Sequence, residues 1–349
     1  MSDDPKIVPL RILFVSPGAQ TGAHLIFVRR EAEALRAAGH QVDIFGFDNR
    51  SYRPWHLARE VARLRREVQC LRPDVIHAQF GKFNALVAAL AAGRNTPLVI
   101  TFRGTDINRN TRYSAVRSAV GLAASQLAAF AAQGLVCVTH EIRSKVWASD
   151  GRLSIVVPTG VNIQTFVPME RNAARERLGF AREDRIVLFN AGKNSAVKDP
   201  VLAGAAVDEA RKMIENLRFV VLDGTADPDD IPVYMNAADC LLVTSRTEGS
   251  PTVVQEAMAC NLPVVSVDVG DVSERLANVR ECAVLAGRDP AALGGALAAV
   301  LREPRRSDGR AHAAALSVEA IAARLTDFYG TLLGKRRNGD FGAKYRTAG

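Results

Sequence analysis

What the sequence lacks narrows the functional classes open to it. Its five cysteines (Cys70, Cys137, Cys240, Cys260 and Cys282) are odd in number, scattered, and without a Cys-x-x-Cys spacing. That argues against a disulfide framework or a zinc ribbon and for reduced, mostly buried thiols. The six histidines are equally dispersed, with no His-x-x-x-His pair, so no metal-ligand cluster is visible and no metal or other cofactor is expected. There is no low-complexity segment and no short repeat. The most apolar stretch, Val120 to Val138, is interrupted by Gly121, Ser125, Gln126, Gln133 and Gly134. It reads as a packed helix running into a strand rather than a membrane span. Residues 1–9 carry Asp3 and Asp4 and no apolar core of signal-peptide length, so a cytoplasmic protein is expected. Nothing points to a nucleic-acid partner.

What is present is an ordinary soluble composition, 48% hydrophobic and 23% charged, in 349 residues. That length suits two domains at roughly 100–200 residues each. Charge is unevenly distributed. Residues 1–165 hold 21 Lys and Arg against 12 Asp and Glu, residues 166–334 hold 19 against 24, and residues 335–349 hold five against one. A basic first half beside an acidic second half fits an anionic partner for the former; a solvated arginine-rich surface fits equally well.

Strand and helix signals alternate along the chain. In the first half strands are expected at Leu10–Val15, Val42–Phe47, Val75–Ala78, Leu98–Phe102, Leu135–Thr139 and Ile155–Val157. A helix from about Ala23 to Ala38 stops at Gly39, and a basic amphipathic helix follows with Leu57, Val61, Leu64, Val68 and Leu71 on one stripe. The pattern restarts after Val167. Strands fall at Ile186–Asn190, Phe219–Asp223, Cys240–Thr244 and Val264–Val267, and helices at Pro200–Asn216, Ile231–Ala237, Pro251–Cys260 and within Ala291–Arg302. Ser317 to Leu333 reads as a closing amphipathic helix with Ser317 at its N-cap. Such alternation implies two α/β units, each with a parallel sheet covered on both faces.

In open parallel sheets, ligands bind beyond the carboxyl ends of strands. The richest loop of that kind is Ser245-Arg-Thr-Glu-Gly-Ser-Pro-Thr-Val-Val-Gln-Glu256, where Ser250 suits an N-cap and Pro251 a first helical position. Amides around Gly249, Ser250 and Thr252 at such a helix end attract anions, and Gly249 permits close approach of a ligand. Glu248 is a poor neighbour for phosphate but a good acceptor for sugar hydroxyls. Glu256, within the helix, is placed to reach a ribose. On spacing alone, a capping loop followed by an exposed helical glutamate remains an alternative.

The whole stretch from Tyr234 to Gly270, with Glu248 and Glu256 separated by seven residues, resembles the donor-site signature of glycosyltransferase family 4. Other segments match the family in order and spacing. Thr21-Gly22-Ala23 resembles its glycine-rich N-terminal loop, and Asp74-Val-Ile-His77 its third-strand element. Val157-Pro-Thr-Gly-Val-Asn162, ending at Phe166, is similar to its interdomain linker, with Thr159 and Asn162 as departures. Gly192-Lys193 and Lys198 fall where the family has Gly-Arg and Lys, the two cations on the donor diphosphate. Phe102-Arg-Gly-Thr-Asp106 occupies the place of the family's His-Gly-x-Asp, with Arg103 where the histidine stands. Arginine cannot act as a base at neutral pH.

The resemblance implies a GT-B fold: an N-terminal Rossmann-like domain over 1–166 on the acceptor side, and a C-terminal one over 167–316 on the donor side, their parallel sheets facing across a cleft. A terminal helix over 317–334 would pack back on the first domain, leaving a mobile basic tail at 335–349. It further implies a retaining, metal-independent transfer from a nucleotide-diphosphate sugar, UDP-sugars favoured, to an acceptor hydroxyl. Lys198, Lys193, Glu248 and Arg103 are the catalytic candidates. Gly22, Gly192, Gly249, Ser250, Pro251, Thr252 and Glu256 are the donor-binding candidates, and His77 and Asp106 are acceptor-side or structural. A nucleotide-sugar 2-epimerase of the same fold and a non-catalytic nucleotide-sugar-binding protein are the alternatives. The basic first half fits saccharide or lipid-linked acceptors in cell-surface polysaccharide or glycolipid synthesis, with the enzyme peripheral on the anionic inner membrane face.

Overall fold

The computed structural model describes residues 8–18, 26–93, 96–108, 114–192 and 195–337. The chain forms two compact units, Met1–Thr159 with Val318–Gly349, and Gly160–Ser317. The first unit carries β1 (Arg11–Pro17), α1 (Ile26–Ala37), β2 (Gln41–Phe47), α2 (Pro54–Leu71), β3 (Val75–Gln79), α3 (Lys82–Ala92), β4 (Leu98–Phe102), α4 (Ala115–Ala131), β5 (Gly134–Cys137), α5 (His140–Lys145) and β6 (Leu153–Val156). The second holds α6 (Arg171–Leu178), β7 (Arg185–Asn190), α7 (Ser195–Lys198), α8 (Pro200–Arg211), β8 (Leu217–Leu222), α9 (Ile231–Ala237), β9 (Cys240–Val243), α10 (Thr252–Ala259), β10 (Val264–Val267), α11 (Val272–Leu276), β11 (Ala283–Leu285), α12 (Pro290–Arg302) and α13 (Gly309–Ala313). The closing helix α14 (Val318–Arg337) belongs to the first unit.

Strand order in the first sheet is β2-β1-β3-β4-β5-β6, with every pairing parallel. Because successive strand residues point to opposite faces, this sheet feeds two separate cores. Ile12, Phe14 and Val99 join α1 and α14 through Val28, Leu35, Ile321, Leu325 and Tyr329. Leu13, Val15, Ile100 and Phe102 join α2, α3 and α4 through Leu64, Val87, Ala88 and Ala128. Small residues let α14 lie close: a Cβ on Gly134 would meet the Phe328 ring at 2.9 Å.

In the second unit the order is β11-β10-β9-β7-β8, again all parallel. Its first strand, β7, is flanked by β8 on one side and β9 on the other, so the winding reverses between β7 and β9. Their carboxyl ends therefore form the switch point, where open α/β sheets bind ligands.

The doubly wound α/β class is as expected, and differences lie at the edges. The change of unit comes at Thr159 rather than Phe166, because Val161 donates its N–H to Leu316 at 2.9 Å and Phe166 is buried in the second core. The terminal helix runs to Arg337, beyond the residue 334 boundary, and residues 338–349 of the expected tail lie outside the described residues. Helix α6 and strand β11 were not anticipated. The first, Arg-Asn-Ala-Ala-Arg-Glu-Arg-Leu, has no apolar stripe, and the second has only three residues.

Candidate functional site

Lys198 follows β7 and Glu248 follows β9, so the switch point of the second sheet brings them together from 50 residues apart. Lys198 Nζ donates to Glu248 Oε1 at 2.6 Å, and the two side chains keep 23% and 18% of their exposure. The pair is therefore reachable from solvent while fixed in position.

The fixing comes from the turn after Lys198. Asp199 takes a left-handed conformation, φ 56° and ψ 65°, and caps α8 by accepting from the Leu202 N–H. Its other oxygen accepts from Arg288 Nη2 at 2.7 Å and Arg246 Nη2 at 2.8 Å. Burial alone would raise this carboxyl, but the Arg288 bond and the charges of Arg246 and Arg288 hold it below the ordinary carboxylate value. Arg288 also donates to the carbonyls of Thr244 (2.8 Å) and Ser245 (2.9 Å). The Thr244 hydroxyl donates to the carbonyls of Lys198 and Asp199, and the Arg246 N–H to that of Val197. The lysine turn and the glutamate loop are thus one rigid piece.

Beyond Glu248 the structure corrects the expected cap. Pro251 is the N-cap of α10, extended at φ −70° and ψ 111°, the helix starts at Thr252, and no side chain caps it. Ser250 is turned elsewhere. Its hydroxyl donates to Asp271 Oδ2 at 2.8 Å and accepts from Gln255 Nε2 at 2.9 Å. Asp271, whose carboxyl burial pushes up, is held by Arg275 Nε at 2.9 Å. The Val254 N–H already goes to the Pro251 carbonyl at 3.1 Å, so the N–H groups of Thr252 and Val253, at the uncapped start of α10, are the ones placed for an external acceptor. Gly270 closes the other side: at φ +61°, a Cβ there would meet the Gly249 carbonyl oxygen at 2.3 Å. Only glycine lets the loop after β10 support the Glu248–Gly249 turn. Glu256 sits one turn into α10, half-buried, and Gly192 follows β7 at φ +51° with its N–H donated to the Leu222 carbonyl. Gly22 and Lys193 lie outside the described residues.

Three predicted residues belong to the first unit, and there they are internal. Arg103, 7% exposed, donates to Gln79 Oε1 (2.5 Å), Glu31 Oε2 (3.0 Å) and the Thr159 hydroxyl (3.2 Å), with its guanidinium 4.6 Å from the Phe27 ring. Asp106 is buried and accepts from the N–H groups of Gly81 (2.8 Å), Gly104 (2.8 Å) and Arg103 (3.1 Å). Burial raises its pKa despite those bonds. His77 shares hydrogen bonds of 2.6 Å with the Tyr329 and Thr101 hydroxyls, and burial lowers it to about 3, so it stays neutral. Thiol chemistry has no place in either unit's interior: burial pushes Cys137 and Cys260 up to about 12 and Cys282 to about 11. Among the described residues, no group of three His, Cys, Asp or Glu could hold a metal ion. No described helix is long and apolar enough to cross a membrane.

Two family models match complementary parts of the chain. One, Glycosyltransferase Family 4, spans residues 26–165; the other, Glycosyl transferases group 1, spans 181–303. The chain belongs to glycosyltransferase family 4. A Bacillus subtilis glycosyltransferase ascribed to teichuronic acid biosynthesis is 29% identical over 224 residues, 58% of this chain and 55% of its own length. The family-4 chain thus spans about half the length of the curated relatives it matches. Sucrose-phosphate synthase from Thermosynechococcus elongatus superposes with a TM-score of 0.74 at 20% identity, covering 93% of this chain and 99% of that one. An Anabaena protein in complex with UDP gives 0.64 at 17%, covering 95% and 99%. These likenesses show the GT-B fold. Around the Lys198–Glu248 pair, the sequence pattern does not single out Asp199, Thr244, Arg288 or Asp271. Asp199 had a local signal, an Asp before a Pro at a helix start; the others had none.

Proposed function

We propose that this chain is a retaining, metal-independent glycosyltransferase that moves a sugar from a nucleotide-diphosphate sugar, with UDP-sugars favoured, to an acceptor hydroxyl. One observation carries the reading: the solvent-reachable Lys198–Glu248 pair at the β7/β9 switch point, beside the side-chain-free start of α10. In the transfer, the bond from anomeric carbon to diphosphate oxygen breaks, and its electron pair stays on the phosphate. The acceptor oxygen bonds to the same face, and its proton passes to the leaving oxygen. Negative charge grows on the diphosphate, so cations and amides already in place lower the barrier.

Binding of the diphosphate exchanges one partner of Lys198 for another. The ammonium turns from Glu248 to the phosphate, and Glu248 is released to accept from sugar hydroxyls. Lys193 is the second cation, Gly192 and the amides at Gly249, Ser250 and Thr252 line the phosphates beside Pro251, and Glu256 takes the ribose. UDP is a ligand of the Anabaena protein, and on that precedent UDP is the donor nucleotide favoured for this chain. Cell-surface polysaccharide or glycolipid synthesis is the assigned setting, in line with the Bacillus relative's pathway. For the peripheral membrane role, support comes from exposed Trp55, Val116, Val120 and Leu127 in the first unit, with Arg53 lying over Trp55.

A panel of nucleotide sugars, each with and without a saccharide or polyprenyl-phosphate acceptor, tests the proposal. Acceptor-dependent release of nucleoside diphosphate, product retaining the donor's anomeric configuration, and a rate indifferent to EDTA are expected. Conversion of UDP-N-acetylglucosamine to its 2-epimer without acceptor would make it an epimerase instead. Binding without turnover on any donor would leave only a binding protein.

A further inference from the structure

The amino end of the second sheet, opposite the switch point, carries a cavity of about 430 Å³ that the transfer does not use. It is lined by Arg171, Arg175, Arg182, Arg185 and Arg306 with Glu170. Arg185 opens β7, whose six residues separate this cavity from the Lys198 turn by roughly 17 Å of extended strand.

Part of the cluster is structural. Asp239, fully buried, pairs with Arg171 Nη1 and Arg175 Nη2, both at 2.7 Å. Arg306 donates to the carbonyls of Ala238 and Asn236, tying the segment after α12 to the turn before β9. Glu170 is occupied in capping α6 through the Ala173 N–H at 2.7 Å. The rest is only weakly compensated. Neither Arg182 nor Arg185 forms an ion pair among the described residues, although the charge of Arg182 helps to lower the Glu170 carboxyl, and neighbouring Asp184 is drawn to Arg218. Five guanidinium groups thus surround one cavity against the two carboxylates of Asp239 and Glu170. Their mutual repulsion is visible in Arg306, which burial and the charge of Arg171 bring down to about 10.

We infer that this cavity is a second anion site, taking a small soluble polyanion whose recognised group is a diphosphate. Guanidinium forks match phosphate oxygens two at a time, which suits several arginines converging on one volume. The cavity holds a diphosphate with room to spare. Arg175, 2% exposed, spends its guanidinium on Asp239 and on the carbonyls of Ala237 and Arg182, which leaves Arg182 and Arg185 as the groups that face an anion. Bound anion would relieve the repulsion within the cluster.

The test is calorimetric titration of inorganic pyrophosphate into the full chain at low ionic strength. Three proteins are compared: wild type, the double variant Arg182→Ser with Arg185→Ser, and Lys198→Ala. Wild type and Lys198→Ala should both bind at this cavity, whereas the double variant should bind there roughly a hundred-fold more weakly, the effect of two lost charge-assisted contacts. Because the side chains of Arg182 and Arg185 make no hydrogen bond among the described residues, the double variant should melt like wild type without pyrophosphate. Nucleotide-sugar affinity and turnover should be unchanged in it, which separates this site from the donor site. Equal pyrophosphate binding by wild type and the double variant, or loss of all binding in Lys198→Ala, would overturn the inference.

Discussion

Two charged clusters in this chain use the same kinds of residue to opposite ends. At the β7/β9 switch point, Lys198 and Glu248 hold only each other with their side chains among the described residues, at 2.6 Å and about a fifth exposed. In the first unit, Arg103 and Glu31 are 7% and 10% exposed, and Gln79, Thr159 and the Phe27 ring surround them, leaving only the buried Arg103 Nε without a hydrogen bond among the described residues. A reachable pair in a high-dielectric setting contributes little to stability and can exchange a partner for a ligand. A sealed one is costly to open and serves the fold. A charged residue in a family's motif position is therefore not yet a site residue; its competing partners decide.

The sharpest way to break that comparison is to remove one cation from each cluster. Arg103→Met leaves Glu31 as a buried charge without its cation and should cost about 3–5 kcal/mol in urea unfolding. Replacing Glu31 with Leu as well should recover part of the loss. If Arg103→Met instead raised donor KM at unchanged stability, the arginine would belong to the site and the contrast would fail. Lys198→Ala should do the reverse: turnover down roughly 10²–10³-fold, the scale for losing one preorganised charge donor, with unfolding stability changed by less than about 1 kcal/mol. Undiminished turnover would remove Lys198 from the mechanism.

How far each cluster was legible follows from the range of its contacts. The strand at Leu98–Phe102, the helix at Ile231–Ala237 and the strand at Val264–Val267 lie where the sequence pattern puts them, because apolar runs and Gly, Pro or Asn punctuation mark their ends locally. The start of α10 was misread for the opposite reason. Ser250 before Pro251 has the local look of an N-cap, but its hydroxyl is claimed by Asp271, 21 positions away. Arg103 meets Glu31 across 72 positions, and Arg288 meets Asp199 across 89. No window of sequence contains such pairs. Lys198 and Glu248 are legible only because two separate family motifs, Gly192-Lys193 with Lys198 and the stretch Tyr234–Gly270, each mark one partner of the encounter.

A smaller effect sharpens the division of labour inside the switch-point cluster. Glu256, one turn into α10, is assigned to the nucleotide and not to the reacting sugar. Glu256→Ala should weaken nucleotide-sugar binding roughly ten-fold, one hydrogen-bonded carboxylate's share, while turnover at saturating donor stays near wild type. A fall in saturated turnover with unchanged affinity would move Glu256 to the reacting end and merge two roles that the present reading separates.

The gentlest probe of the first unit is pH. His77 lies sealed between the Tyr329 and Thr101 hydroxyls, and burial lowers its pKa from the ordinary 6.5 to about 3. Between those values the unfolded chain binds a proton that the folded chain refuses. Stability therefore falls as pH drops below 6.5, by at most about 1.4 kcal/mol per unit, and is untouched by this group above it. Asp106 works the other way. Burial raises its pKa, so protonation of the folded form offsets part of the acid loss just above the ordinary carboxylate value. The difference between wild type and His77→Gln cancels that offset, since both keep Asp106. His77→Gln should be less stable at neutral pH yet flatter toward acid, so the two denaturation midpoints converge as pH falls from 6.5. Parallel profiles would mean that the histidine accepts its proton in the folded state, and that the first unit's interior is as open to exchange as the pair at the switch point.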